Sequence, residues 1–245
     1  MIVLFSDFGV NGPYIGQIKA VLAQELGDYP VIDLFSDAPT HDPKASSYLL
    51  AAFCRDLPQG AVIVAVVDPG VGSDQREGVV VEADGKFYVG PGNGLFTALC
   101  HQAGSTKVSK IAWSPDNVSV SFHGRDVFAP IAAKIVADKL GSHDLFPLER
   151  PMPSLGPADL AEVVYVDHFG NLMTGLRGQV VNHNQVITLN NLDIYYAITF
   201  SSVPKGTGFW YVNSSGLIEI AVNCGRADEY FGATIGCSVK IQGRK

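Results

Sequence analysis

The chain has 245 residues, 47% of them hydrophobic, and carries 24 acidic against 17 basic side chains for a formal net charge of −7. This length allows two modest domains, each with its own core. The acidic balance and the lack of any Lys/Arg run argue against a nucleic acid as partner and suit a cationic small molecule better. The apolar run Ala61 to Val67 is too short to span a bilayer, so the composition reads as a soluble globular protein with no membrane partner. Cys54, Cys100, Cys224 and Cys237 form no C-x-x-C pair and have no ligand-like spacing with histidine, which indicates neither zinc nor disulfides. Met1-Ile-Val-Leu-Phe5 lacks a basic start and reads as a first strand rather than a signal peptide, so a cytoplasmic location is expected.

In chain order, Ile2 to Phe5 reads as a strand, Ser6 to Pro13 as a loop, and Tyr14 to Glu25 as an amphipathic helix with Ile15, Ile18, Val21 and Leu22 on one face. Val31 to Leu34 (strand), Lys44 to Cys54 (helix) and Ala61 to Val67 (core strand) continue the alternation. Gly78 to Glu82 and Phe87 to Val89 flank an Asp84-Gly85 turn and read as a hairpin. A short helix follows over Leu95 to His101, then a longer one over Asp126 to Leu140 with Pro130 in its first turns. Alternation of this kind predicts an α/β domain with a mostly parallel sheet over residues 1–150. Four prolines between Phe146 and Pro157 exclude helix and central strand and mark a linker. Beyond it, Ala161 to Val166, Gln185 to Leu189, Phe209 to Val212, Leu217 to Val222 and Cys237 to Ile241 are short, alternating segments joined by Asn, Gly and Ser turns. They predict a smaller all-β domain, barrel or sandwich-like, over 158–245.

Several segments carry chemistry. Asp68 ends the core strand and opens Asp68-Pro69-Gly70-Val71-Gly72; in an open α/β sheet, ligands bind outside the carboxyl ends of strands. The same residues also build an ordinary turn, and Arg76 by itself reads as a surface arginine. His123-Gly124-Arg125-Asp126 reads equally as a helix start with a local Arg–Asp pair, and Asp7 as a capping residue for the helix that follows. In Asp167-His168-Phe169-Gly170-Asn171 the adjacent Asp and His point to opposite faces of a strand, a poor joint metal site. The aspartate is better used to accept hydrogen bonds from a ribose diol. No Walker A or G-x-G-x-x-G sequence follows the first strand, so a nucleoside triphosphate or dinucleotide has no cradle.

Ser6-Asp7-Phe8-Gly9, Val67-Asp68-Pro69-Gly70-Val71-Gly72, Phe122-His123-Gly124-Arg125-Asp126, Asp167-His168-Phe169-Gly170-Asn171 and Asn213-Ser214-Ser215-Gly216 together resemble, in order, the S-adenosylmethionine hydroxide adenosyltransferases. These are relatives of the S-adenosylmethionine-dependent fluorinases and chlorinases. The resemblance implies attack of water or hydroxide on ribose C5′ of S-adenosyl-L-methionine, giving adenosine and methionine, with no cofactor and no metal. It implies that Asp68, Arg76 and His123 hold and activate the nucleophile and that Asp7 and Asp167 bind the ribose hydroxyls. Asn171 is implied to read the adenine edge, Ser214 and Ser215 to contact the methionine end, and backbone around Val222, Asn223 and Cys224 to border the base. Tyr14 and Phe169 are implied as packing walls, with Gly124 also at the substrate. A homotrimer is implied, with sites between the first domain of one subunit and the second of its neighbour.

Two rivals stand beside this reading. A halogenase would use halide in place of water, but an anionic Asp68 at the point of attack repels halide. A non-catalytic nucleoside-binding protein would keep Asp7, Asp167 and Asn171 with no need of Asp68, Arg76 and His123 together.

Overall fold

The structure is a computed structural model that describes residues 1–73 and 76–243. The chain divides into two compact units, Met1–Leu155 and Gly156–Lys245, with the boundary inside the proline-rich segment.

The first unit holds the strands β1 (Ile2–Ser6), β2 (Val31–Phe35), β3 (Val62–Val66), β4 (Gly78–Ala83), β5 (Lys86–Pro91), β6 (Thr106–Ile111) and β7 (Leu145–Pro147) in one sheet of order β2-β1-β3-β5-β4-β6-β7. The pairs β1/β2, β1/β3 and β3/β5 are parallel, and the β4, β6 and β7 side is antiparallel. The expected α/β domain is therefore present, with a parallel core extended by an antiparallel flank. Every residue of β1 and β3 is buried, because helices cover both faces of the parallel core and β-branched side chains fit there. Helix α1 (Tyr14–Leu26) packs with α4 (Ala129–Val136), and α2 (Pro43–Phe53) packs with α3 (Thr97–Gln102). Ile18 and Leu22 of α1 and Ile131 and Ala132 of α4 join Ile2, Leu4, Val62 and Val64 in the core.

Local chemistry sets the element ends. Asp42 accepts from the Ala45 N–H at 2.9 Å and Pro43 occupies the first turn, so α2 starts there. The long helix expected over 126–140 is instead a π-helical turn, Gly124–Phe128, running into α4, which ends at Val136. Proline at 130 has no N–H to give to the ladder, and wider turns occur where a helix start is reshaped for function. The proline-rich segment contributes Leu145–Pro147 to the sheet edge, where a missing donor costs nothing.

In the second unit β8 (Leu160–Val166), β9 (Leu172–Arg177), β12 (Gly208–Val212) and β13 (Leu217–Val222) form an antiparallel sheet of order β12-β13-β9-β8. Strands β10 (Val186–Leu189), β11 (Leu192–Ile194) and β14 (Lys240–Gln242) form a second, of order β11-β10-β14. The expected β architecture is present, with one short helix, α5 (Ala227–Phe231), added to it. Leu172, Ile187, Leu189, Trp210, Ile218 and Ile220 build its core.

Candidate active site

In the parallel core, β1 is followed by β2 on one side and β3 lies on the other. Their shared end is thus the topological switch point, where open sheets bind ligands. Ser6 pairs with Val66 in register and the Asp7 N–H reaches Val66 O at 3.4 Å, so Asp7 and Asp68 leave the sheet side by side. Asn93, in the loop after β5, donates from Nδ2 to Val67 O at 2.9 Å and supports the Asp68 turn.

The second glycine of the Asp68-Pro69-Gly70-Val71-Gly72 turn has a specific task. Gly72 adopts φ +79°, and a Cβ there would stand 2.4 Å from Val120 O. Only glycine lets this loop approach the one that leads into Phe122 and His123. Three rings bind the mouth together: Phe8, Tyr14 and Phe122 meet pairwise at 5.4–5.7 Å between centroids, in part edge to face.

Asp68, Arg76 and His123 form one constellation. Arg76 Nε donates to Asp68 Oδ1 at 2.8 Å, its Nη2 donates to Asp68 Oδ2, and the same Nη2 lies 3.1 Å from His123 Nδ1. The side chains of Asp68 and Arg76 are only 5% and 8% exposed, so Arg76 is not a surface arginine. Burial pushes the Asp68 carboxyl above the usual aspartate value, against the pull of the Arg76 charge, the Arg76 hydrogen bonds and weaker contributions from His123 and Gly70. Burial first, and then the charge of Arg76, push His123 below the ordinary histidine value, so the ring is neutral near pH 7. A guanidinium can only donate. His123 Nδ1 is therefore the acceptor, and the neutral ring carries its proton on Nε2.

Asp7, Tyr14, Asp68, His123 and Gly124 line a single cavity of about 220 Å³, together with Phe8, Thr40, His41, Val66, Val71, Ser121 and Phe122. Asp7 does not cap α1, whose N-cap is Pro13; its Oδ2 accepts from the His41 N–H at 3.0 Å. Arg125 and Asp126 pair with each other at 2.6 Å, and Asp126 also accepts from the Ser119 N–H at 2.8 Å. Their plain structural reading holds.

The remaining predicted residues gather in the second unit. Asp167, Phe169, Asn171, Ser214, Ser215, Val222 and Cys224 line a cavity of about 810 Å³ with Met173, Phe200, Tyr211, Asn213, Glu219 and Gly225. Asn223 is the exception: its Nδ2 donates to Val203 O at 2.8 Å, so its side chain serves the loop and not the cavity. The Asp167 carboxylate anchors its own turn, accepting from the N–H groups of Phe169 and Asn171 at 2.9 and 2.8 Å and from Asn171 Nδ2 at 3.0 Å. That last bond commits the Asn171 amide and leaves its Oδ1 as an acceptor. Gly170, at φ +83°, has no room for a Cβ beside Asp228 and Arg226. Phe169 is 71% exposed at the rim. Sequence reasoning missed Glu219, Tyr211 and Phe200; the available signal for Glu219 was a lone charge inside the apolar strand Leu217 to Val222. Among the described residues no group of three or more His, Cys, Asp or Glu side chains could hold a metal ion, and no helix is long and apolar enough to cross a membrane.

The chain is 36% identical to an (R)-S-adenosyl-L-methionine hydrolase of Thermus thermophilus, over 98% of each chain. It is 33% identical to a protein of the same name from Salinispora arenicola, over 96% of this chain and 95% of the relative. A fluorinase of Actinopolyspora mzabensis is more distant, at 22% identity over 98% of this chain and 96% of its own. A crystal structure of an uncharacterized conserved protein from Thermotoga maritima superposes with a TM-score of 0.86 at 26% identity, covering 99% of this chain and all of the other. Family models for the two domains match residues 2–143 and 161–240 in turn, and the chain belongs to the SAM hydroxide adenosyltransferase family.

Proposed function

We propose that this chain is an enzyme that hydrolyses S-adenosyl-L-methionine, in the (R) configuration named for its relatives, to adenosine and L-methionine. The observation that carries the reading is the hydrogen-bonded Asp68–Arg76–His123 set at the switch point of the sheet, with the Asp68 and Arg76 side chains buried. Water attacks ribose C5′, the new O–C5′ bond forms as the C5′–S bond breaks, and sulfur takes the bonding pair to leave as the neutral thioether of methionine. The leaving group needs no acid, so the protein's task is to position and deprotonate water. Asp68, made more basic by burial, accepts the proton; Arg76 holds the carboxylate in place; His123, protonated on Nε2, orients the nucleophile as a donor. No cofactor takes part.

Asp7 and Asp167 bind the ribose hydroxyls, Asn171 reads the adenine edge, Ser214 and Ser215 take the methionine end, and Val222 to Cys224 border the base, with Tyr14, Phe169 and Gly124 as walls. The protein acts in the cytoplasm as a homotrimer in which the first unit of one subunit and the second of its neighbour complete each site. Support for this last point is that neither unit's cavity holds both residue sets.

The test is incubation with each sulfonium epimer of S-adenosylmethionine in ¹⁸O-water, with and without chloride. Adenosine labelled at the 5′-oxygen is expected; a 5′-chlorinated nucleoside would establish the halogenase, and no turnover the binding protein. Asp68→Ala is expected to lower kcat by about a hundredfold or more, and hydrolysis at the wild-type rate would refute the role of Asp68.

A further inference from the structure

Glu219 is the one carboxylate in the fully buried strand β13 and is 3% exposed. It lies opposite Tyr211 on β12 and Met173 on β9, and all three line the cavity of the second unit. Burial on this scale is costly for a carboxylate unless its oxygens are occupied. They are: the Tyr211 hydroxyl donates to Oε1, and Asn213 Nδ2 donates to Oε2 at 2.8 Å.

The Asn213 contact reaches further. Asn213 Oδ1 accepts from the N–H groups of Ser215 and Leu217, each at 3.0 Å. Those backbone groups can only donate, so the amide orientation is settled and Nδ2 must face Glu219. Asn213 O accepts from the Gly216 N–H at 2.9 Å and Asn213 N donates to Leu217 O at 2.8 Å. The turn from 213 to 217, which presents Ser214 and Ser215 to the cavity, is thus built around one side chain whose far end is held by Glu219. Burial, reinforced by the charge of Asp167, pushes the Glu219 carboxyl up, while the bonds from Tyr211 and Asn213 favour its ionised form.

We infer that Glu219 is a positioning residue which, through Asn213, sets the Ser214–Ser215 turn to receive the amino-acid end of the substrate. This rests on the hydrolase reading above. It separates Glu219 from the chemistry: the residue governs how the carboxylate and ammonium of the methionine moiety are met, and the C5′ centre is governed by Asp68, Arg76 and His123.

The experiment compares two substrates, S-adenosylmethionine and 5′-deoxyadenosyl dimethylsulfonium, which keeps the adenosine and the sulfonium but lacks the amino-acid end. In Glu219→Ala, KM for S-adenosylmethionine is expected to rise about tenfold with kcat within about threefold of wild type, and KM for the truncated sulfonium to stay within about twofold. Glu219→Gln, which can still accept from Asn213, restores most of the loss, and Tyr211→Phe, which leaves the Asn213 bond intact, keeps the wild-type KM. Should Glu219→Ala fail to fold, Asn213→Asp sets a carboxylate against Glu219, retains the backbone acceptor, and is expected to give the same selective rise. An equal rise for both substrates, or no rise for either, overturns the positioning role while wild-type turnover leaves the hydrolase reading intact. A wild-type protein that turns over neither substrate overturns that reading and this inference with it.

Discussion

Arg76 shows how one side chain can change the chemistry of two others. It is buried and makes two bonds to Asp68 and one to His123, and its charge lowers the pKa of both. Removing that charge must raise both: Asp68 then holds its proton to higher pH, and His123 becomes cationic at higher pH. The proposed mechanism uses an ionised Asp68 and a neutral His123, so both changes act in the same direction. Arg76→Gln is therefore expected to move the acidic limb of the kcat/KM profile to higher pH, beyond any fall in the plateau. A profile measured across the acidic range would contradict the arrangement if the limb stayed in place or moved down. The sequence displayed Asp68 and His123 at a strand end and a helix start, but Arg76 carried no local signal. Its identification depended on a resemblance, because a lone arginine in a polar loop looks the same whether it is solvated or folded inward onto a carboxylate 8 positions away.

Among the elements, the loop after β3 and the loop before the π-helical turn matter most, and Gly72 is where they touch. A left-handed φ costs a residue with a Cβ about 1–2 kcal/mol, and here the added carbon also meets Val120 O at 2.4 Å. Gly72→Ala is expected to lower stability by at least about that amount and to cut kcat more than KM, because the displaced loop carries His123 away from Arg76. Thermal unfolding together with steady-state kinetics checks this, and an unchanged Tm with wild-type kcat would refute it. The elements themselves were largely legible. Apolar runs identify β1 and β3, and short alternating segments between turn residues identify strands such as β12 and β13. The π-helical turn was not, since its hydrogen-bond pattern answers to the neighbours of Gly124, which leave little room: a Cβ there would stand 3.3 Å from the Phe122 ring and 3.5 Å from Val66.

At the scale of the whole molecule, the proposed residues divide between a cavity of the first unit and a cavity of the second. A trimer that completes each site from two subunits predicts complementation. Inactive Asp68→Ala and Asn171→Ala proteins, dissociated and reassembled together in equal amounts, should recover about a quarter of wild-type activity, because random mixing pairs two intact contributions that often in a cyclic assembly. Sites completed within one subunit would recover none, and a monomeric mass in solution would exclude the trimer directly. The sequence by itself determined the α/β unit, the following β unit and the five motifs, because periodicity, turn residues and short fixed spacings are local properties of the chain. Only the tertiary structure decided that Arg76 is folded inward onto Asp68 and His123 instead of being solvated, and that Glu219 stands behind the Ser214–Ser215 turn. These are contacts between side chains distant in sequence or buried together, and burial and charge pairing acquire values only once the backbone has brought the groups within reach.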